Sequence, residues 1–297
     1  MPQASTSNRI DETLVQAAAQ GDASRVRLLL QVADQRALAP SARRALMSAM
    51  GLGAGRTECV ELLLGAMSAE DHRDAGYPAL VLACAAGSIN AGTVRALLRV
   101  ASPDRPGRKA PTPLQLAARA GSTEATQALL DAGADPLRAD SRGYTALMEA
   151  AERKQIETLR QLLPGSDAKA LGDDGRNALM LACSANANND KGRALACVEL
   201  LAPVSDPSLE HNRRTAFEIA LTCDLPGCAD FLSLVSPRQK VAAAYQMLGE
   251  DGPWLLPRWA AKLEAEALSR AMGEGANAAK GTAQSSAALQ NKSAARL

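Results

Sequence analysis

Aromatic side chains are nearly missing from this chain, with two Trp, three Tyr and two Phe in 297 residues. A strand-rich fold draws on aromatic and β-branched residues, so this scarcity argues against one and leaves Leu and Ala to build the core. Histidine occurs only twice, and none of the six cysteines forms a C-x-x-C pair, so the usual zinc-ligand spacing is missing. Neither sign of charge is in excess: 33 Lys and Arg face 32 Asp and Glu, a formal net charge of +1. Bulk charge therefore predicts no attraction to nucleic acid or to a membrane surface. No run of about 18 apolar residues occurs, so no membrane-spanning helix is expected. Met1–Asn8 is polar and lacks the apolar stretch of a secretory signal.

Catalytic patterns are also wanting. His72 opens the string H-R-D, which occurs in kinase catalytic loops, but no Gly-rich loop, strand lysine or D-F-G accompanies it. His211 stands beside Asn212 in a linker without a triad partner. Gly51-Leu52-Gly53-Ala54-Gly55 follows a helical pattern, whereas a dinucleotide-binding loop needs a preceding strand. Asp173-Asp174 are adjacent acids at a turn, where carboxylates normally face water. The expectation is a protein that is not an enzyme and uses neither metal nor cofactor.

What the chain does have is repetition. Thr112–Pro136 reads T-P-L-Q-L-A-A-R-A-G-S-T-E-A-T-Q-A-L-L-D-A-G-A-D-P. Thr112 is a helix N-cap, Pro113 suits the first helical position, Gly121 breaks the helix and Gly133 ends a second one. Leu114 recurs as Leu14, Leu46, Leu80, Leu147 and Leu179, with Phe217 as the seventh copy. The spacings are 32, 34, 34, 33, 32 and 38 residues by subtraction. Two short helices cannot bury their apolar faces alone and need copies on either side.

A period near 33 residues, a two-helix unit and the string T-P-L-x-x-A-A resemble the ankyrin repeat. Gly143–Ala151 and Gly175–Cys183 are further good matches, while the usual His after the leucine is absent throughout and the Thr-Pro pair is blurred at Arg44-Ala45 and Pro78-Ala79. The expected fold is an all-α ankyrin-repeat solenoid of about seven repeats with a C-terminal helical cap. Residues 1–9 are expected to be disordered, 10–235 to hold the repeats, 236–273 to form the cap and 274–297 to be a disordered tail. Extra length falls in Ser184–Arg193 and Ser88–Gly92. Cys59, Cys197 and Cys228 occupy one site in three second helices, and Cys84 and Cys183 follow Ala in first helices. All five read as small buried residues in a reducing compartment.

The resemblance implies that loop fingers and first helices form a concave surface that binds proteins. The third residue before each repeat leucine is Asp11, Arg43, Tyr77, Pro111, Tyr144, Arg176 or Arg214. Arg108, Lys109 and Arg142 adjoin this column, and Arg119 and Arg153 leave first helices. Arg and Tyr dominate interface hot spots, so Tyr77, Arg108, Lys109, Arg119, Arg142, Tyr144, Arg153, Arg176 and Arg214 are the candidate binding residues. Tyr144 between Arg142 and Arg176 is the expected centre, its side chains standing at fingertips and adding little to the core. The expected partner presents acidic residues beside an apolar anchor to a monomeric, cytoplasmic protein. The heavy use of Ala, Arg and Leu resembles bacterial proteins from GC-rich genomes. One alternative is a secreted effector using the same surface in a host cell, and another is an enzyme formed by the C-terminal helices.

Overall fold

The computed structural model describes residues 3–32, 35–50, 56–86, 91–104, 110–184, 190–248 and 256–265. Among them there is no β-strand, and the chain is all-helical. It divides into two compact units, Met1–Leu225 and Pro226–Leu297. The first unit holds α1 (Gln3–Gln20), α2 (Ala23–Val32), α3 (Gln35–Ala49), α4 (Thr57–Ala66), α5 (Ala69–Ala85), α6 (Ala91–Leu98) and α7 (Pro113–Ala120). It continues with α8 (Thr123–Asp131), α9 (Ala146–Glu152), α10 (Ile156–Leu162), α11 (Ala178–Cys183), α12 (Lys191–Leu201) and α13 (Ala216–Thr222).

These helices stack in two rows. The first helices α1, α3, α5, α7, α9, α11 and α13 pack successively on one another, and the second helices α2, α4, α6, α8, α10 and α12 do the same. The row is held by the repeat leucines: Leu14, Leu46, Leu80, Leu114, Leu147, Leu179 and Phe217 are each at most 1% exposed. Alanines one turn on, among them Ala17, Ala83, Ala117, Ala150 and Ala220, are equally buried and let neighbouring helices approach closely. Helices of six to eight residues such as α7, α9 and α11 are too short to be stable alone, so their stability comes from this stacking. Local caps fix where they begin. Thr112, Thr145, Asn177 and Thr215 each accept a hydrogen bond from the backbone N–H three residues on.

The first three repeats depart from expectation. Helix α1 starts at Gln3, within the stretch expected to be disordered. Helices α3 and α5 run for 15 and 17 residues and carry Pro40 and Pro78 in their interiors. The repeat pattern at Pro78-Ala79 predicts a helix start there, with a finger before it. Instead Ser68 caps α5 ten residues earlier, in a reciprocal capping box with Asp71. The Arg43 guanidinium donates to Asp71 at 2.8 Å, tying the early start of α5 to α3. Tyr77 therefore lies inside a helix and not in a finger, as does His72, whose ring Nε2 is 2.8 Å from the Leu64 carbonyl. Gly51–Gly55, residues 185–189 of the Ser184–Arg193 extension and residues 88–90 of the Ser88–Gly92 extension lie outside the described residues.

The second unit contains α14 (Pro226–Ser233), α15 (Arg238–Leu248) and a helix over 257–265. Here the Asp230 carboxylate accepts the Arg258 backbone N–H at 2.7 Å and pairs with the Arg258 guanidinium at 3.4 Å. Burial pushes the Asp230 carboxyl above its usual range, against the pull of Arg258. Cys228, Ala229, Leu232, Val241, Leu256 and Trp259 are the buried apolar groups among the unit's described residues.

Candidate partner-binding face

Among the described residues, three complete fingers project between second and first helices, over 132–145, 166–177 and 202–215. In the first, Asp140 organises the turn, its carboxylate accepting the N–H groups of Arg142 at 2.8 Å and Tyr144 at 3.0 Å. Gly143 completes the turn with φ +72°, and a Cβ there would stand 2.7 Å from the Asp173 nitrogen of the next finger. That close approach lets the Asp173 N–H donate to the Arg142 carbonyl at 2.8 Å. In the third finger the turn is tighter: His211 and Arg214 exchange two backbone hydrogen bonds of 2.9 Å around Asn212-Arg213, both at positive φ.

Gln115 stands where the family pattern has its His. Its Oε1 accepts the Thr112 N–H at 2.7 Å, and its Nε2 donates to the carbonyls of Arg138 and Tyr144, both at 2.8 Å. One side chain thus caps its own helix and pins the next finger. No signal short of the repeat alignment marks it, because an isolated Gln is an ordinary surface residue.

The expected centre of the face is built differently from its prediction. Tyr144 is 2% exposed, not a fingertip residue reaching solvent. Gly172 makes its slot: a Cβ at Gly172 would be 2.6 Å from the Tyr144 ring. The Tyr144 hydroxyl donates to Asp174 at 2.7 Å and accepts from Arg176 at 2.6 Å. The Arg142 guanidinium lies over the ring, 4.4 Å from its centroid. Burial, with help from the bond to Asp174, raises the Tyr144 phenol well above its ordinary pKa. Burial also pushes the Asp174 carboxyl up, but the Tyr144 hydroxyl and the N–H and guanidinium of Arg176 more than offset this and hold it below the usual carboxylate range.

The arginines are committed as well. Arg142 donates to Asp140 at 3.1 Å and also to Glu149. Arg119 grips the same Glu149 with two bonds of 2.8 and 3.1 Å. Arg176 pairs with Asp174 at 2.7 Å. The structure thus gathers Arg119, Arg142, Tyr144 and Arg176 into one internal network spanning α7, α9 and two fingers. The expectation that these side chains add little to folding is corrected: the acids they need, Asp140, Glu149 and Asp174, sit on the same repeats. Of the other candidates, Tyr77 lies within α5, and Arg153 is exposed at the C-cap of α9. Arg108 and Lys109 lie outside the described residues.

Arg214 differs from its neighbours. It is exposed, and its guanidinium pairs with no carboxylate among the described residues. It borders a groove of about 640 Å³ between the last two fingers and the helices α11 and α13. Asp174, Arg176, His211, Asn212 and Arg214 form the finger side of this groove. Met180, Ser184, Ile219, Thr222 and Cys223 form the helix side. A second groove, of about 620 Å³, lies on the opposite row between α2 and α4, where Glu58, Glu61 and Arg27 surround Leu30 and Leu62.

The family model for ankyrin repeats (3 copies) matches residues 89–171 and, overlapping them, 147–241. Together the matches cover 89–241, just over half of the 297 residues. This chain belongs to the ankyrin-repeat family. Ankyrin repeats generally mediate protein–protein interaction, and the family is typically non-enzymatic. Among the described residues of this ankyrin-repeat chain, no group of three or more His, Cys, Asp or Glu could hold a metal ion. No described helix is long and apolar enough to cross a membrane.

Proposed function

We propose that this chain is a non-enzymatic binding module that holds a protein partner on its finger and first-helix surface, centred on the groove between α11 and α13. The single observation that carries this reading is the composition of that groove: guanidinium and imidazole groups from two fingers facing Met180 and Ile219 on the helices. Such a surface suits a partner with acidic residues beside an apolar anchor, because arginine grips a carboxylate while its neighbours exclude water. The centre of the face thus moves about one repeat towards the C-terminus from Tyr144, whose ring is already occupied within the chain.

Placing a photo-crosslinking residue at Thr222, exposed on the groove wall, tests the reading. In its native extract the full chain should give a discrete crosslinked protein from position 222. The same substitution at Glu61, on the α2–α4 groove, should not. A crosslink formed at Glu61 and not at Thr222 would move the binding face to the second-helix row.

A further inference from the structure

We infer that the groove between α11 and α13 reads one carboxylate side chain with a neighbouring aliphatic residue on an extended segment of its partner, Arg214 being the direct donor and Arg176 a positioning residue. This deepens, and rests on, the binding reading given above. The argument begins with charge. The groove wall carries the guanidiniums of Arg176 and Arg214 against the carboxylate of Asp174, so the guanidiniums are in excess by one. That surplus resides on Arg214, since Arg176 is engaged at 2.7 Å by Asp174 and donates to the Tyr144 hydroxyl at 2.6 Å. A monoanion satisfies one guanidinium in a bidentate pair. A phosphoryl group, with close to two negative charges, would be left with one charge uncompensated beside the Asp174 carboxylate.

Position supports the same division of labour. Arg214 closes a two-residue turn whose paired 2.9 Å backbone bonds fix where its side chain starts. His211 begins that turn, and its Nδ1 stands 3.6 Å from where a Cβ on Gly175 would lie, so the adjacent finger leaves it room. Across the groove, Met180 is buried and Ile219 half-buried, a floor for one aliphatic side chain next to the charged rim. Charged rim and apolar floor share one groove, so the two recognition elements belong on neighbouring residues of the ligand.

Three fluorescein-labelled peptides test this, identical except for a central Glu, Gln or phosphoserine followed by Leu. Binding to the full-length protein is read by anisotropy. The Glu peptide should bind at least about tenfold more tightly than the Gln peptide, which corresponds to 1.4 kcal/mol, and at least as tightly as the phosphoserine peptide. Arg214→Gln should erase the Glu-over-Gln preference while leaving the thermal melting curve unchanged. The Glu peptide should also slow native labelling of Cys223, which lines the same groove. Equal binding of Glu and Gln, tighter binding of phosphoserine, no binding of any peptide, or a preference that survives Arg214→Gln would each overturn the inference. If these fail while Thr222 still crosslinks a partner, the binding reading stands and only the carboxylate specificity falls.

Discussion

Glu149, 2% exposed on α9, receives the Arg119 guanidinium of the preceding repeat through two bonds of 2.8 and 3.1 Å. Arg142 of its own finger donates to the same carboxylate. The two guanidiniums take the place of the water this buried carboxylate has lost. Neutralising it leaves Arg119 without its counter-charge and Arg142 with Asp140 alone. Glu149→Gln should therefore lower the unfolding free energy by about 2 kcal/mol, less than the ~3–5 kcal/mol of a fully buried pair because both arginines reach solvent. Urea titration followed by far-UV circular dichroism measures it, and a midpoint equal to wild type would show the network to be inert.

Tyr144 is expected to act on folding more than on binding. Truncation to Ala empties the slot over Gly172 and should cost about 3–5 kcal/mol of stability. Tyr144→Phe keeps the ring and loses two hydrogen bonds, but Asp174 and Arg176 remain paired with each other. Its cost should be nearer 1–2 kcal/mol. Denaturation of the two variants distinguishes this from a solvent-facing role, in which neither change would move the curve.

Much of this architecture was legible in the sequence, and the limits have physical causes. The leucine column and the cap Thr112 depend on local spacing, so they could be read directly. The early start of α5 was missed because the Ser68–Asp71 box is a short local signal that contradicts the 33-residue period. The burial of Tyr144 was missed for the opposite reason. It depends on Gly172 and Asp174 one repeat later, and on acids at Asp140 and Glu149 that each read alone as surface residues. An Arg/Tyr stripe looks the same in sequence whether its charges are spent inside the chain or left for a partner. Arg214 was in the candidate column, but only geometry separates it from Arg176.

Acid should weaken the fold partly through Asp174. Its carboxyl sits below the ordinary range in the folded chain, so the folded state holds fewer protons than the unfolded one in that window. The stabilisation is present above the unfolded value of about 3.9 and is lost as pH falls through the folded value. Asp71 behaves alike, held low by the Ser68 hydroxyl and then by Arg43. Melting temperatures should stay level down to about pH 5 and then fall. Asp174→Asn should start lower and fall less. Parallel curves for variant and wild type would assign the acid sensitivity to other carboxylates.

In the second unit, Trp259 is 2% exposed, with Lys262 and Arg238 nitrogen-bearing groups 5.3 and 6.0 Å from the ring. Trp259→Ala removes its largest buried side chain and should cost about 3–5 kcal/mol. Urea titration followed by far-UV circular dichroism measures the loss. A urea transition unchanged from that of the wild type would mean that the ring is not part of the unit's core.

The cysteines test the repeat register itself. Cys59, Cys84, Cys183, Cys197 and Cys228 are buried and Cys223 is half-buried, and none forms a disulfide. Burial pushes the Cys84 thiol up to about 12, so little thiolate exists there even at pH 9. A thiol reagent needs both the thiolate and a path to it. In the native protein one equivalent, at Cys223, should react within minutes, and the other five only after denaturant is added. Mass spectrometry of the labelled peptides identifies the site. Cys84 and Cys183 both lie on first helices whose place in the stack depends on the period counted from Leu80 and Leu179. A one-residue slip in either helix turns its thiol by about 100° and brings it toward the surface. Rapid native labelling at Cys84 would therefore refute the register of the third repeat, and at Cys183 that of the sixth. Labelling confined to Cys223 supports both.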